Sequence, residues 1–280
     1  FKDNGYTTAA VFSNPLLNSR GMGFSRGFQI FDCIESIGKQ QKLAFKPLLC
    51  VASFFSNVYT KTTLAYKRAD DINTMSMRII DSMGNAPFFL CSNYMDTHVP
   101  YLPPRPFDSR FSYEQYPRLQ GLTSFFTTIR NIRDESTAQA FFQSDEKTSW
   151  DAFVQSQYDG AIAYLDDNLG MLFAYLKQKG LYDRAFIIVT ADHGEMLGEH
   201  NQYEHRRELY EEVVHIPLMI KFPFNSRVGR ENRLINLTDM FSTILHICNL
   251  PIPRGVSAVP FGGKRSVVSG FFSDPVGEQR

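Results

Sequence analysis

The sequence predicts an α/β fold built on a mainly parallel sheet with helices on both faces. Short apolar runs that suit buried strands alternate with longer segments whose apolar residues recur at helical spacing. The 280 residues are 43% hydrophobic, which allows a sizeable core, so one domain over 1–280 is the simplest organisation. The most informative strand, residues 186–190, ends abruptly in Asp192-His193-Gly194-Glu195.

The first half of the chain predicts two strands separated by a helix. Residues 2–6 read as a helix end stopped by Gly5, and a strand follows over 7–13. A Gly-rich loop over 18–27 then precedes a helical region over 43–83, whose clearest spacing lies at 65–80. Pro87 introduces a second strand at 88–92, and the four prolines of residues 99–106 require an extended loop.

The second half begins with residues 107–148, which are polar, aromatic and weakly patterned. They suggest an insertion near the site or a mobile surface segment. A long helix is predicted over 150–179, with Gly180 as its stop. Its predicted apolar stripe consists of Phe153, Ile162, Leu165, Leu169, Leu172 and Leu176. Strands at 186–190 and 217–222 and a helix at 238–248 complete the pattern.

Composition excludes several classes of function. The net charge is zero, so no basic footprint for nucleic acid is present. No uncharged stretch is long enough to span a membrane. The four cysteines are scattered without a C-x-x-C pair, which is typical of small core residues. The chain opens on Phe1 without a signal-peptide pattern, and we expect a fragment that is incomplete at both ends. An exported or a cytoplasmic location and any oligomeric state stay open.

The strand at 186–190 leads into the first candidate site. Residues just past such a strand lie where open α/β sheets bind ligands, and Asp192 with His193 can hold a divalent metal. Four of the six histidines fall between residues 193 and 215, interleaved with glutamates. These histidines are His193, His200, His205 and His215. The simpler alternative is an Asp that caps the next segment beside a solvated His.

The strand at 88–92 leads into a second candidate loop, NYMDTHVPY, which contains His98. If the sheet is parallel, this loop leaves the same edge as Asp192, so both histidines would face one cleft. His98 could then protonate a leaving oxygen or bind an oxyanion. The alternative is a ring that packs on Tyr94 and Tyr101.

Several segments, in their order along the chain, resemble the sulfatase family of the alkaline phosphatase superfamily. The main ones are IVTADHGE with LGEH at 188–200, and PFFL leading to THVP at 87–100. Supporting pieces are GYTTAAV at 5–11, LYEE and HIPL at 209–218, and Thr238-Asp239. The resemblance implies an alkaline phosphatase-like fold and a hydrolase that acts on a small-molecule or glycan sulfate ester.

The resemblance also assigns roles to individual residues. Asp192 and His193 match the later pair of divalent-metal ligands, usually for Ca²⁺, although an imidazole ligand leaves Mg²⁺, Mn²⁺ and Zn²⁺ open. His98 matches the histidine that contacts the sulfate and its leaving oxygen. His205 falls where many sulfatases have a sulfate-holding Lys, with Arg206 adjacent. A His fills that role only when it is protonated.

The chain also departs from the family pattern. Sulfatases carry a Cys or Ser in Cys/Ser-x-Pro-x-Arg upstream of the segment matched by Gly5, and this residue becomes the formylglycine nucleophile. Neither this segment nor the earlier Asp ligand pair is found in the chain, so we expect negligible turnover from it alone. The Lys-x-x-His-like pair that often follows the first strand is absent too, and Asn14 could serve there as a neutral donor.

Two other functions remain open at this stage. A phosphodiesterase, phosphonate hydrolase or phosphoglycerol transferase of the same superfamily would reuse Asp192 and His193, with Asp96 available for a second metal. A non-catalytic pseudoenzyme module would bind the metal without hydrolysis.

Overall fold

The computed structural model describes residues 1–18, 23–33, 66–111, 140–205 and 209–256. The chain forms two units. The first comprises Phe1–Thr128 with Asp145–Gln178, and the second comprises Ile129–Ser144 with Lys179–Arg280. One domain over 1–280 therefore stays a prediction.

A parallel sheet of three strands organises the first unit. Its strands are β1 (Thr7–Phe12), β2 (Ile30–Cys33) and β3 (Phe88–Asn93), in the order β2–β1–β3. Ala9, Ala10 and Val11 in the central strand are fully buried. The predictions of β1 and β3 are confirmed, but β2 was missed. Its four residues are too few for a periodic signal, and the edge-to-face contact of Phe31 with Phe12 helps to fix them.

Two helices accompany this sheet. Helix α1 (Ala69–Ser82) packs against β1 and β3, and α2 (Glu146–Gln178) packs against α1. Both helices were predicted, with boundaries shifted by a few residues. The left-handed φ of Gly180 (66°) follows the end of α2, as expected for a helix stop.

The buried face of α2 differs from the predicted apolar stripe. Phe153, Leu172 and Leu176 are buried, but Ile162 is 44% exposed. Polar Gln157 and Asn168 are buried instead. The side-chain amide of Gln157 donates to the Asp108 carbonyl (2.9 Å), and that of Asn168 donates to the Tyr164 carbonyl one turn earlier in the same helix (2.9 Å). Such hydrogen bonds allow polar side chains to be buried, and a pattern that counts only apolar residues misses them.

The second unit is built from antiparallel pairs. Strand β4 (Ile187–Thr190) pairs with β7 (Leu218–Lys221). Between them in sequence lie a hairpin of β5 (Met196–Leu197) and β6 (Tyr203–Glu204) and a one-turn helix, α3 (Glu211–Val214). Helix α4 (Leu237–Ile247) follows. The positions of β4, β7 and α4 match the prediction. The expectation of a mainly parallel sheet did not include the antiparallel pairing of β4.

Some sequence predictions concern residues outside the described part. Residues 34–65 contain the expected start of the first helical region, and residues 112–139 make up most of the weakly patterned segment. Within the described ranges, no helix combines the length and the apolar character that crossing a membrane requires.

Candidate functional site

The loop after β4 brings a carboxylate and an imidazole together. The backbone N–H of His193 donates to Oδ1 of Asp192 (3.1 Å), and Nδ1 of the ring lies 3.0 Å from the Gly194 carbonyl. A carbonyl only accepts, so Nδ1 carries the hydrogen, and Nε2 is the nitrogen on the side of Asp192, 3.8 Å from its Oδ1. The Asp192 side chain is 80% exposed. This donor pair has the chemistry and the spacing to bind one divalent cation.

Gly194 fixes this loop to α3. Its N–H donates to the Val213 carbonyl (2.7 Å), and a Cβ at this position would lie 2.0 Å from the Glu212 carbonyl oxygen. Only glycine allows such a close approach of two backbones. The close neighbour of Gly194 in the structure is therefore α3.

A buried carboxylate holds His205. Oε1 of Glu195 lies 3.0 Å from Nδ1 of His205, and the Glu195 side chain is only 5% exposed. This hydrogen bond, opposed in part by desolvation of the ring, raises the pKa of His205 above its ordinary value. The shift favours the charged form that His205 needs if it is to replace a lysine. Sequence reasoning gave Glu195 no individual role.

The ring of His205 also stacks on that of His193. Their centroids are 3.8 Å apart, with 29° between the ring planes. One compact arrangement in the second unit therefore contains the predicted metal pair, Asp192 and His193, and the predicted sulfate-binding residue, His205. Three of the predicted site residues are thus brought together by the structure.

The other two histidines of the 193–215 window lie differently. The His200 ring stacks on Tyr210 at a centroid distance of 3.8 Å, and its Nε2 lies 3.4 Å from Oε1 of Glu212. The His215 side chain is largely exposed, with Glu211 one turn earlier. The histidine-rich window thus divides into one central pair and two separate residues.

His98 lies in the first unit, in the loop after β3. Its backbone N–H donates to the Met95 carbonyl (3.1 Å), and Nδ1 lies 2.7 Å from the Val99 carbonyl. Nδ1 therefore donates, and Nε2 is the ring atom with which His98 can act on another group. The alternative role, a ring that packs on Tyr94 and Tyr101, stays a prediction.

Asp96 anchors the His98 loop to α1. Its Oδ1 accepts from the N–H of Ala69 at the first turn of the helix (3.3 Å), where the helix dipole favours a negative group. The residue is 5% exposed, and Oδ2 is buried without a hydrogen-bond partner among the described residues. Burial raises the pKa of Asp96 to about 6.

Asn14 and Arg206 complete the set of predicted site residues. The side-chain oxygen of Asn14 accepts from the Leu16 N–H (2.9 Å), and its backbone N–H donates to the side chain of Asn93 (3.0 Å). These bonds give Asn14 a local structural role, and its function as a donor to substrate stays a prediction. Arg206 lies outside the described residues.

Comparison with known proteins gives consistent relationships. The Sulfatase family model matches residues 1–250. Arylsulfatase K of Xenopus laevis is 33% identical over 104 residues, which are 37% of this chain and 19% of that protein. The multifunctional alkaline phosphatase superfamily protein PehA of Trinickia caryophylli is 27% identical over 223 residues, 74% of this chain and 41% of that protein. The aligned part thus spans well under half of either relative.

The phosphonate monoester hydrolase of Agrobacterium radiobacter superposes with a TM-score of 0.66 at 17% identity. The match covers 99% of this chain and 64% of that enzyme. This similarity confirms the predicted α/β fold of the alkaline phosphatase-like class.

Proposed function

Because the chain belongs to the sulfatase family, we propose that the protein is a sulfuric ester hydrolase that cleaves a sulfate monoester of a small molecule or glycan. The observation that carries this proposal is the arrangement of Asp192, His193 and His205 in one loop and hairpin of a sulfatase-family chain. It supplies a candidate cation site next to a histidine with a raised pKa.

Asp192 and His193 are the proposed ligands of a divalent cation, with Ca²⁺ as the first choice and Mg²⁺, Mn²⁺ or Zn²⁺ as alternatives. When bound, such a cation supplies Lewis-acid stabilisation of the sulfate oxygens and a template for the substrate. The hydrogen bond from Nδ1 of His193 to the Gly194 carbonyl supports this role, because it orients Nε2 as the ligand atom.

His205 is the proposed sulfate-binding cation, and Arg206 and Asn14 are further candidate donors to the substrate. For His98 we propose contact with the sulfate and, from the imidazolium form in which both ring nitrogens carry hydrogen, transfer of the Nε2 proton to the alcohol oxygen that leaves as the S–O bond breaks. The nucleophile that the reaction needs is expected to be a formylglycine, as the resemblance to sulfatases implies.

Turnover by the full-length protein tests this proposal. We expect hydrolysis of an aryl sulfate, with His205→Ala and His98→Ala each lowering kcat by about 100-fold or more, as loss of a charge-stabilising or proton-transferring group does. Glu211→Gln, which changes an exposed carboxylate in the same unit as His205, is the control and should leave turnover unchanged. Absence of sulfate hydrolysis would contradict the proposal.

Metal binding is tested separately by calorimetry. Asp192→Ala should weaken Ca²⁺ binding by at least about tenfold, because it removes a carboxylate ligand. The same Glu211→Gln variant should bind Ca²⁺ like the wild type. An Asp192→Ala protein that kept both its metal affinity and its turnover would contradict the assigned ligand pair.

Hydrolysis of a phosphonate monoester or phosphodiester is the second candidate. Its support is that PehA, described as a multifunctional member of the alkaline phosphatase superfamily, aligns with 74% of this chain. Parallel assays on an aryl sulfate, an aryl phosphonate and a phosphodiester decide between the reactions by their kcat/KM values. Metal binding without any of these activities would instead support a non-catalytic module.

A further inference from the structure

Glu195 has a partner but no assigned function. Its carboxylate contacts the ring of His205 and is almost fully buried. We propose that Glu195 is a positioning residue: it holds Nδ1–H of His205 and thereby directs Nε2 of that ring towards the sulfate group of the substrate. The inference rests on the proposed role of His205 in binding sulfate.

The hairpin register explains why these two residues meet. Met196 in β5 pairs with Glu204 in β6 in antiparallel register. Extending that register by one residue at the open end places Glu195 opposite His205. Cross-strand neighbours on one face lie close enough for side-chain contact. The contact between Glu195 and His205 therefore follows from the register of the hairpin, because the two side chains start from opposite positions on neighbouring strands.

Hydrogen-bond chemistry determines how the ring is oriented. An ionised carboxylate can only accept, so the ring nitrogen facing Glu195 must carry a hydrogen whether His205 is neutral or charged. Nδ1 therefore points at Glu195, and Nε2 points away from it. The same logic orients metal-bound histidines, where a carboxylate on one nitrogen fixes the direction and tautomer of the other.

The backbone on the Glu195 side of this pair is also fixed. Gly194 is bonded to the Val213 carbonyl immediately before Glu195, and fully buried Met196 follows it. The stacked ring of His193 lies against one face of His205. The fixed backbone of Glu195, the hydrogen bond to Nδ1 and the stacked ring of His193 together restrict His205 to one orientation. A functional group has to be held to within about 0.5 Å of its productive position.

A double-variant cycle in the full-length holoenzyme separates positioning from a purely structural role. Glu195→Gln should lower kcat on the aryl sulfate by about 10- to 100-fold, with a smaller change in KM. In the His205→Lys background the same substitution should change kcat by less than about threefold, because an ammonium group has three rotating donors and no ring orientation to fix. Equal factors in the two backgrounds would overturn the inference.

The matched control is Glu199→Gln. This exposed glutamate lies in the same hairpin and accepts from the Leu197 N–H. The substitution should change kcat by less than about threefold. Calcium affinity provides a further check: Glu195→Gln should preserve it, whereas a loss as large as that of Asp192→Ala would make Glu195 a metal ligand and overturn the positioning role.

Nuclear magnetic resonance supplies a readout that does not depend on activity. At a pH where the ring is neutral, ¹⁵N shifts of His205, assigned with His205→Gln, should show hydrogen on Nδ1. Glu195→Ala should move the ring towards the Nε2–H tautomer. An Nε2–H tautomer in the wild type would overturn the inference. A wild type without any hydrolase activity would instead refute the proposed function and leave the tautomer measurement as the test.

Discussion

Asp96 should make the stability of the first unit depend on pH. Its carboxyl group is buried against the first turn of α1, and its pKa rises from 3.8 to about 6. A shift of roughly two units corresponds to about 3 kcal/mol. The folded state binds the proton more tightly, so this group costs nothing below about pH 4. Between about pH 4 and pH 6, ionisation of the buried carboxyl group progressively lowers the free energy of unfolding. Above that range the loss is complete.

Replacing Asp96 by Asn removes the ionisation. The amide leaves a polar group in the same buried position, so absolute stability can fall at every pH. The informative quantity is the pH slope. Relative to the wild type, Asp96→Asn should gain up to about 3 kcal/mol as the pH rises from about 4 to about 7. Asp166→Asn, an exposed position on α2, is the control and should leave the slope unchanged.

Urea unfolding monitored by tryptophan fluorescence is the assay. Trp150 is the single tryptophan of the chain, is buried in α2, and belongs to the same unit as Asp96. Its fluorescence therefore reports on the unfolding of that unit. Parallel stability curves for the wild type and Asp96→Asn over this pH range would refute the reasoning, because they would mean that the carboxyl group does not change its proton affinity on folding.

Substitutions at four further positions test local packing by thermal or urea unfolding. Gly170→Ala should stabilise α2 by about 0.5–1 kcal/mol because an added Cβ there meets no atom within 4 Å. Gly160→Ala on the same helix should destabilise it by about 1–3 kcal/mol, since a backbone carbonyl oxygen lies 2.5 Å from the added Cβ; equal effects at the two positions would contradict this account. Gly194→Ala should destabilise the second unit by at least as much and lower turnover, and a variant with wild-type stability would disprove the tight backbone contact. Asn236→Ala should cost about 0.5–2 kcal/mol by removing the capping box of α4, whereas Asn236→Asp should keep most of the stability.

Strongly patterned elements could be predicted from the sequence, and short or polar-faced ones could not. The strand β4 and the helices α2 and α4 have long or sharply bounded apolar patterns. Strand β2 has four residues, one of them Asp32, and depends on contacts with β1. The exposed Ile162 was assigned to the core because its spacing fits, whereas the partner of the buried Gln157 depends on tertiary structure that a sequence pattern does not contain.

The candidate site shows the same division. Asp192 and His193 could be selected because a buried-strand pattern ends beside them. Glu195 could not, since its proposed role comes from the register of a hairpin whose strands are only two residues long. The sequence signal available for Glu195 was its position directly after Gly194, the first glycine of the loop. Several other glutamates in the same stretch carried an equal signal from composition.

The central position of β1 has a consequence for biosynthesis. Its hydrogen-bonding partner β3 begins about 75 residues after β1 ends, so the strand leaves the ribosome long before its sheet can close. At a translation rate of 5–20 residues per second, this wait lasts roughly 4 to 15 seconds. During that time the edge of β1 that later pairs with β3 has no partner from that strand. We therefore expect the first unit to complete its folding only after β3 has left the ribosome. The yield of folded protein on expression should then respond to chaperone supply.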